Sequence, residues 1–214
     1  MIRILLFVFP FACTFARLPQ EFSITEQVFA LSATFDIACG DVSMGSASKH
    51  FFALSPTYDL EDSESKPLAT ARARFFSWGT VVDIEDPDGK ALGRIEENLW
   101  KIFPWAEYKV YDAANREIML ATMDFWGTEF TLRSPLEPER VFATITRPFF
   151  RFFRDYWTVQ IRDNSIFESA DLDPRVLILL AVYQTDKDNR ARFFSEYKDQ
   201  LYKEFEQYDG DGFR

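Results

Sequence analysis

Three groups of residues in this chain have types and spacings that could do chemistry. The first is the run Arg147-Pro-Phe-Phe-Arg151-Phe-Phe-Arg154, where cations alternate with pairs of phenylalanine. If exposed, such a segment suits a lipid head-group layer, because guanidinium groups and aromatic rings both settle at that interface. If buried, it is a bent strand that sends Phe149, Phe150, Phe152 and Phe153 into the core while Arg147, Arg151 and Arg154 pair with neighbouring acids. The second group is the carboxylate pair Glu96-Glu97, which could serve a glycosidase-like hydrolase. A chain with 34 acidic residues, however, produces such pairs by chance. The third is His50, the one histidine and so the one candidate base for a triad. It begins the strand-like run His-Phe-Phe-Ala-Leu and has no positioned partner in the sequence. Gly45-Ser-Ala-Ser48 reads as a loop of small residues. Gly-x-Ser-x-Gly, a phosphate-cradling glycine loop and His-Glu-x-x-His do not occur in the sequence. The chain therefore reads as non-enzymatic, with a carboxylate-based hydrolase as the alternative.

The 214 residues suffice for one sizeable domain, and the 47% apolar content allows a substantial core. The net charge of −10 argues against nucleic acid, whose recognition rests on Lys and Arg neutralising phosphates. Residues 1–16 carry Arg3, then an apolar run broken by Pro10, then Thr14-Phe15-Ala16 with small residues at the −3 and −1 positions of a cleavage site. That pattern is a secretory signal peptide, with an uncleaved membrane tether as the alternative. Cleavage after Ala16 removes Cys13 and leaves Cys39 alone, so the mature chain stands on its core without disulfides.

The elements that must position these groups are mostly strands. Three stretches fall into register: Asp62-Ser-Glu-Ser65-Lys66, Asp86-Pro-Asp-Gly89-Lys90 and Asp112-Ala-Ala-Asn115-Arg116. In each, an Asp that can hydrogen-bond its own turn is followed three residues later by a residue suited to positive φ, or by Ser, and then by a base. This is hairpin chemistry. A calcium loop centred on Gly89 fails, because Ile84 would stand at its first acidic ligand position. Alternating runs at Thr80–Glu85, Glu107–Tyr111, Met119–Met123, Thr128–Arg133, Val141–Thr146 and Tyr156–Ile161 belong to an expected ten to twelve strands. Against that background, Val176–Tyr183 is apolar on every side. Asp173 can cap it, and Pro174 suits its first turn. A helix of roughly ten residues without a polar face must be surrounded by protein. Closing the sheet around it does this most economically. A strand reading of the same run stays open. The polar residues from Gln184 to Arg190 are expected to stop the helix. A second, amphipathic helix is expected over 190–208, with Phe193, Tyr197, Leu201 and Phe205 on one face.

The order of Asp turns, Ala143-Thr-Ile-Thr-Arg147, Tyr156-Trp-Thr-Val-Gln-Ile161 and Asp171-Leu-Asp-Pro before an apolar helix resembles the tubby-like, LURP-one-related superfamily, which includes the phospholipid scramblases. The resemblance spans roughly residues 33–188 and implies a closed antiparallel barrel of about twelve strands threaded by a C-terminal helix. Asp163-Asn164, Phe167 and Asp171-Leu172-Asp173 follow in order the acidic pattern that scramblases carry before that helix. By that resemblance Asp163, Asp171 and Asp173 could hold Ca²⁺, although Asp173 is already accounted for as a helix cap. The proline-rich N-terminus and acylated cysteine cluster of scramblases are missing from the sequence. Tubby proteins bind phosphoinositides through a basic pocket, and Arg147, Arg151 and Arg154 with Phe149 and Phe150 come nearest to one here.

These readings converge on a signal peptide (1–16), an N-terminal extension (17–32), a mainly β barrel around an apolar helix (33–188) and an amphipathic helical tail (189–214). The expected function is that of a secreted, non-enzymatic domain without a cofactor, binding a protein or small-molecule ligand. The alternative is a phospholipid-binding or scramblase-like protein working at a membrane surface, with calcium as its one candidate ion.

Overall fold

The computed structural model describes residues 18–27, 33–50, 55–76, 79–98, 107–124, 126–148, 156–169 and 172–187. The signal-peptide residues, the 190–208 helix, Asp171, and Phe149 through Arg154 lie outside the described residues.

The described residues form twelve strands: β1 (Glu21–Glu26), β2 (Thr34–Cys39), β3 (Val42–Lys49), β4 (Thr57–Asp62), β5 (Pro67–Phe76), β6 (Gly79–Glu85), β7 (Ala91–Glu97), β8 (Glu107–Asp112), β9 (Glu117–Met123), β10 (Glu129–Arg133), β11 (Val141–Thr146) and β12 (Tyr156–Ile161). Each pairs antiparallel with its sequence neighbours, and β1 pairs with β12 to close the barrel. A short helix, α1 (Ser165–Glu168), follows β12, and a longer one, α2, covers 174–187.

The Asp turns are three copies of one device. The amides of Lys66, Lys90 and Arg116 donate to the carboxylates of Asp62, Asp86 and Asp112 at 2.9, 2.9 and 2.8 Å. The residue three after each Asp has positive φ: Ser65 at 61°, Gly89 at 79° and Asn115 at 63°. Beside each turn the register shifts by one, so Glu61 faces Pro67, Glu85 faces Ala91 and Tyr111 faces Glu117. A tight turn followed by a left-handed residue and a bulge is a standard hairpin closure. Asp124 builds a fourth version, with Gly127 at φ 65° and its carboxylate accepting from Thr128 and Glu129. This one lacks the following base and so escapes the sequence pattern.

A twelve-strand barrel is too wide for its own side chains to fill. Helix α2 fills it, with residues 176–186 all buried. The wall thins to admit the helix: Ala47, Ala69, Ala71, Ala73, Ala121 and Ala143 are buried core positions. At Gly93 an added Cβ would sit 2.7 Å from the Tyr111 carbonyl and 3.0 Å from a Val176 methyl. Farther along, Tyr183 meets Tyr58 and Tyr108 edge-on, with ring centroids 6.2 and 6.3 Å apart. Phe130 and Trp157 extend that aromatic layer.

Some expectations change. Residues 17–32 do not simply precede the barrel, since β1 lies within them. Its inward Phe22 and Ile24 alternate with polar residues, but two apolar positions between Glu21 and Glu26 leave a faint signal. Gly45–Ser48 lies inside β3 rather than in a loop. His50 directly follows β3, and residues 51–54 of the run it was expected to open lie outside the described residues. The polar residues after Tyr183 do not end α2. Gln184, Thr185 and Asp186 stay helical and buried because the barrel wall supplies partners to Gln184 and Asp186, while the Thr185 hydroxyl donates back to the Ala181 carbonyl of the helix at 2.8 Å.

Candidate functional site

The strands alternate in direction, so the barrel has two ends. The turns at Asp62, Asp86 and Asp112 and the start of α2 share one, and α2 runs towards the other. At the start of α2, both carboxylate oxygens of Asp173 are engaged. The Arg175 amide and Nε donate to Oδ1 at 2.9 and 2.8 Å, and an Arg175 Nη donates to Oδ2 at 2.7 Å. Arg175 also donates to the Leu68 carbonyl at 2.7 Å, tying the helix to the β4–β5 turn. Burial pushes the Asp173 carboxyl up, but the bonds and charge from Arg175 outweigh it and leave a net lowering.

Asp163 is likewise committed. It accepts from the Ser165 amide at 2.9 Å and from Arg140 Nε at 2.8 Å. Bonds from Ser165 first, and Arg140 next, lower its pKa from 3.8 to about 2. Two of the three carboxylates expected as calcium ligands, Asp163 and Asp173, are thus paired with guanidinium groups of the chain itself. Among the described residues no three His, Cys, Asp or Glu side chains form a metal-holding group. The described pair does not suit calcium, and Asp171 lies outside the described residues.

At the opposite end the last described turn of α2 makes a polar floor. Asp186 accepts from Lys49 Nζ at 3.1 Å and from the Tyr58 hydroxyl at 2.6 Å. Gln184 accepts from the Tyr108 hydroxyl at 2.7 Å, and Lys187 pairs with Glu97. A buried carboxylate is costly unless paired and hydrogen-bonded, and Asp186 is both. Four strands are pinned to the helix this way. Nothing in the local sequence around Gln184–Asp186 signals these partners, which come from β3, β4 and β8.

On the rim at this end, the Arg147 guanidinium lies 5.0 Å from the Trp157 ring centroid, and its amide donates to the Thr128 carbonyl. Trp126, in the neighbouring β9–β10 turn, is 68% exposed, and Tyr156, which opens β12, is 44% exposed. Of the basic and aromatic residues singled out from sequence, Arg147 falls within the description. Arg151, Arg154, Phe149 and Phe150 lie outside it.

The catalytic candidates do not assemble. His50 Nε2 pairs with Asp59, and the other Asp59 oxygen accepts from Thr70 Oγ1 at 2.8 Å. The hydroxyl therefore sits on the carboxylate and not on the imidazole, which is the wrong order for a nucleophile and its base. Glu96 accepts from the Tyr111 hydroxyl and pairs with Arg94, whereas Glu97 points to the other face and pairs with Lys187. Adjacent residues on a strand face opposite sides, so these carboxylates do not converge on one substrate.

A third feature, which sequence reasoning missed, is an open groove of about 480 Å³ at the Asp-turn end, between the β8–β9 turn, the β10–β11 loop and α1. Ile118, Phe142 and Ile166 form its apolar part, and Leu136 overhangs it at 90% exposure. The sequence signal was Ser134-Pro-Leu-Glu-Pro-Glu-Arg140, a doubly proline-braced loop with an apolar tip.

Comparison with known proteins places this arrangement. The model of the LURP-one-related family matches residues 20–183. The X-ray structure of a protein from Arabidopsis thaliana matches with a TM-score of 0.53 at 12% identity, covering 79% of this chain and 93% of that one. A likeness at that identity speaks to the fold alone. No curated protein matches the sequence.

Proposed function

The chain belongs to the LURP-one-related family, and from that premise we propose that it is a secreted, non-enzymatic domain that binds a ligand or partner on its outer surface. One observation carries this reading: α2 occupies the space that other wide barrels use for ligands, so recognition falls to the rims and the outer wall. The separately paired His50, Glu96 and Glu97 support the non-enzymatic part. The test is thermal unfolding of the purified protein against panels of peptides, soluble head-group analogues and small metabolites, alongside hydrolase substrates. Stabilisation without turnover is expected, since a ligand that binds only the folded state raises its stability by mass action. Turnover of a hydrolase substrate that is lost in Glu96→Gln or Glu97→Gln overturns the reading.

A second reading is contact with a phospholipid surface at the end towards which α2 runs. The exposed Trp126 and Tyr156 near Arg147 favour it, because such rings and cations suit the head-group layer. Co-sedimentation with neutral and anionic liposomes, in calcium and in chelator, tests it. Binding that needs anionic lipid and weakens in Arg147→Ala and in Trp126→Ser supports surface contact. A calcium requirement would bring Asp163, Asp171 and Asp173 back as ligands.

A further inference from the structure

The β10–β11 loop is held in one shape before any partner arrives. The Ser134 amide donates to the Arg140 carbonyl at 3.0 Å, and the Arg140 amide donates to the Glu137 carbonyl at 2.8 Å. Ser134 Oγ accepts from the Leu136 and Glu137 amides at 3.3 and 3.2 Å. Pro135 and Pro138 restrict the backbone further. Arg140 braces the loop from below, donating to Asp163 at 2.8 Å and to Ser165 Oγ at 2.6 Å while lying over the Phe142 ring. A leucine presented at 90% exposure on such a braced loop costs little ordering entropy to engage.

The charge around the groove selects the partner. Its two arginines are already neutralised, Arg116 by Asp112 at 2.6 Å and Arg140 by Asp163 at 2.8 Å. Glu137 keeps its side chain 70% exposed, with the Arg140 guanidinium 4.0 Å away, and Glu139 is exposed beside it. The loop therefore offers an apolar knob and an apolar groove under an acidic rim. An anionic lipid surface is repelled by that rim, whereas a cation flanking an apolar side chain is attracted.

We infer that this groove and loop dock a short basic peptide segment carrying one bulky apolar side chain, which sits between Leu136 and the Ile118–Phe142 floor. The inference rests on the reading of the chain as a binding domain and names its partner's chemistry.

Fluorescence anisotropy of the purified full chain tests it, with synthetic peptides bearing one central Phe flanked entirely by Lys and Arg, by Ser, or by Glu. The basic peptide should bind at least about tenfold more tightly than the Ser-flanked one, and added salt should erode the difference. Leu136→Ser should weaken it by about tenfold or more. Glu137→Lys with Glu139→Lys should shift preference to the Glu-flanked peptide. These positions are exposed, so unchanged melting temperatures verify folding, and Val42→Ser, at an exposed apolar residue outside the groove, should bind normally. Equal affinity for all three peptides, undiminished binding by Leu136→Ser, or equal loss in Val42→Ser overturns the inference. So does self-association of the chain that disappears in Leu136→Ser, which would make the occupant a second copy. Absence of peptide binding alongside liposome binding or ligand-induced stabilisation sinks the groove while leaving the binding domain intact. Substrate turnover sinks the binding-domain reading itself.

Discussion

Replacing Gly93 with alanine tests whether α2 is seated against β7 as closely as the geometry requires. The added methyl would lie 2.7 Å from the Tyr111 carbonyl oxygen and 3.0 Å from Val176 Cγ2. The first contact is with backbone of the paired strand and cannot be relieved by a rotamer change. The second is with the first buried turn of the helix. Overpacking of this kind costs about 1–3 kcal/mol. For a domain of this size each kcal/mol lowers Tm by roughly 2–4 °C, so a loss of about 2–12 °C is expected. Urea and thermal unfolding of wild type, Gly93→Ala, Val176→Ala and the double variant measure it. Val176→Ala alone should destabilise by opening a cavity, yet the alanine at 93 should cost less in its presence, because one of its two clashes is gone. Gly89→Ala is the control: its site is open but has φ +79°, so its cost of about 1–2 kcal/mol should be independent of Val176. A Gly93→Ala protein as stable as wild type, or additive with Val176→Ala, would refute the packing argument.

Other consequences follow from single residues. Asp163 has its folded pKa depressed from 3.8 to about 2. Its contribution is therefore complete above the unfolded value and is lost as pH falls from about 4 towards 2. Asp163→Asn should lower Tm near neutrality, where the carboxylate's contribution is complete, and flatten the Tm-versus-pH profile between about pH 4 and 2, where wild type loses that contribution. Ser65 holds φ 61° without being glycine, so Ser65→Gly should stabilise by about 0.5–1 kcal/mol in urea unfolding, left-handed strain outweighing the added chain entropy. Tyr58→Phe deletes a 2.6 Å hydrogen bond to the buried Asp186. It should cost about 1.5–3 kcal/mol and loosen α2 amide protection in hydrogen exchange. Intact-mass analysis of protein recovered from a secreting host should show a chain beginning at Arg17. Retention of residues 1–16 in the membrane fraction would indicate the tether instead.

The barrel was legible because its signals are local. Each Asp turn closes a hairpin through hydrogen bonds to its own backbone, and each flanking strand alternates with period two. The faceless helix announced its own burial. Legibility failed where a residue's role depends on distant strands. Gln184–Asp186 read as a polar stop because the hydroxyls of Tyr58 and Tyr108 and the ammonium of Lys49 are remote in sequence. His50 and Glu96-Glu97 looked equally available for catalysis until Asp59, Arg94 and Lys187 were seen to engage them. The carboxylates at 163 and 173 were readable as ligands, yet arginines of the same chain occupy both.

What the sequence determined by itself is the set of elements, because turn chemistry, strand alternation and helix capping act over a few residues and need no partner. It also determined that α2 must be enclosed, since the eight residues Val176–Tyr183 without a polar face have no stable place in water. Only the tertiary structure decided which charges meet. An ion pair between β3 and the end of α2 joins residues 137 positions apart, and no local rule chooses between such a partner and solvent. The same holds for the groove beneath Leu136. Its walls come from three separate connections whose approach is set by barrel closure, so neither its apolar floor nor its acidic rim exists until the strands have closed.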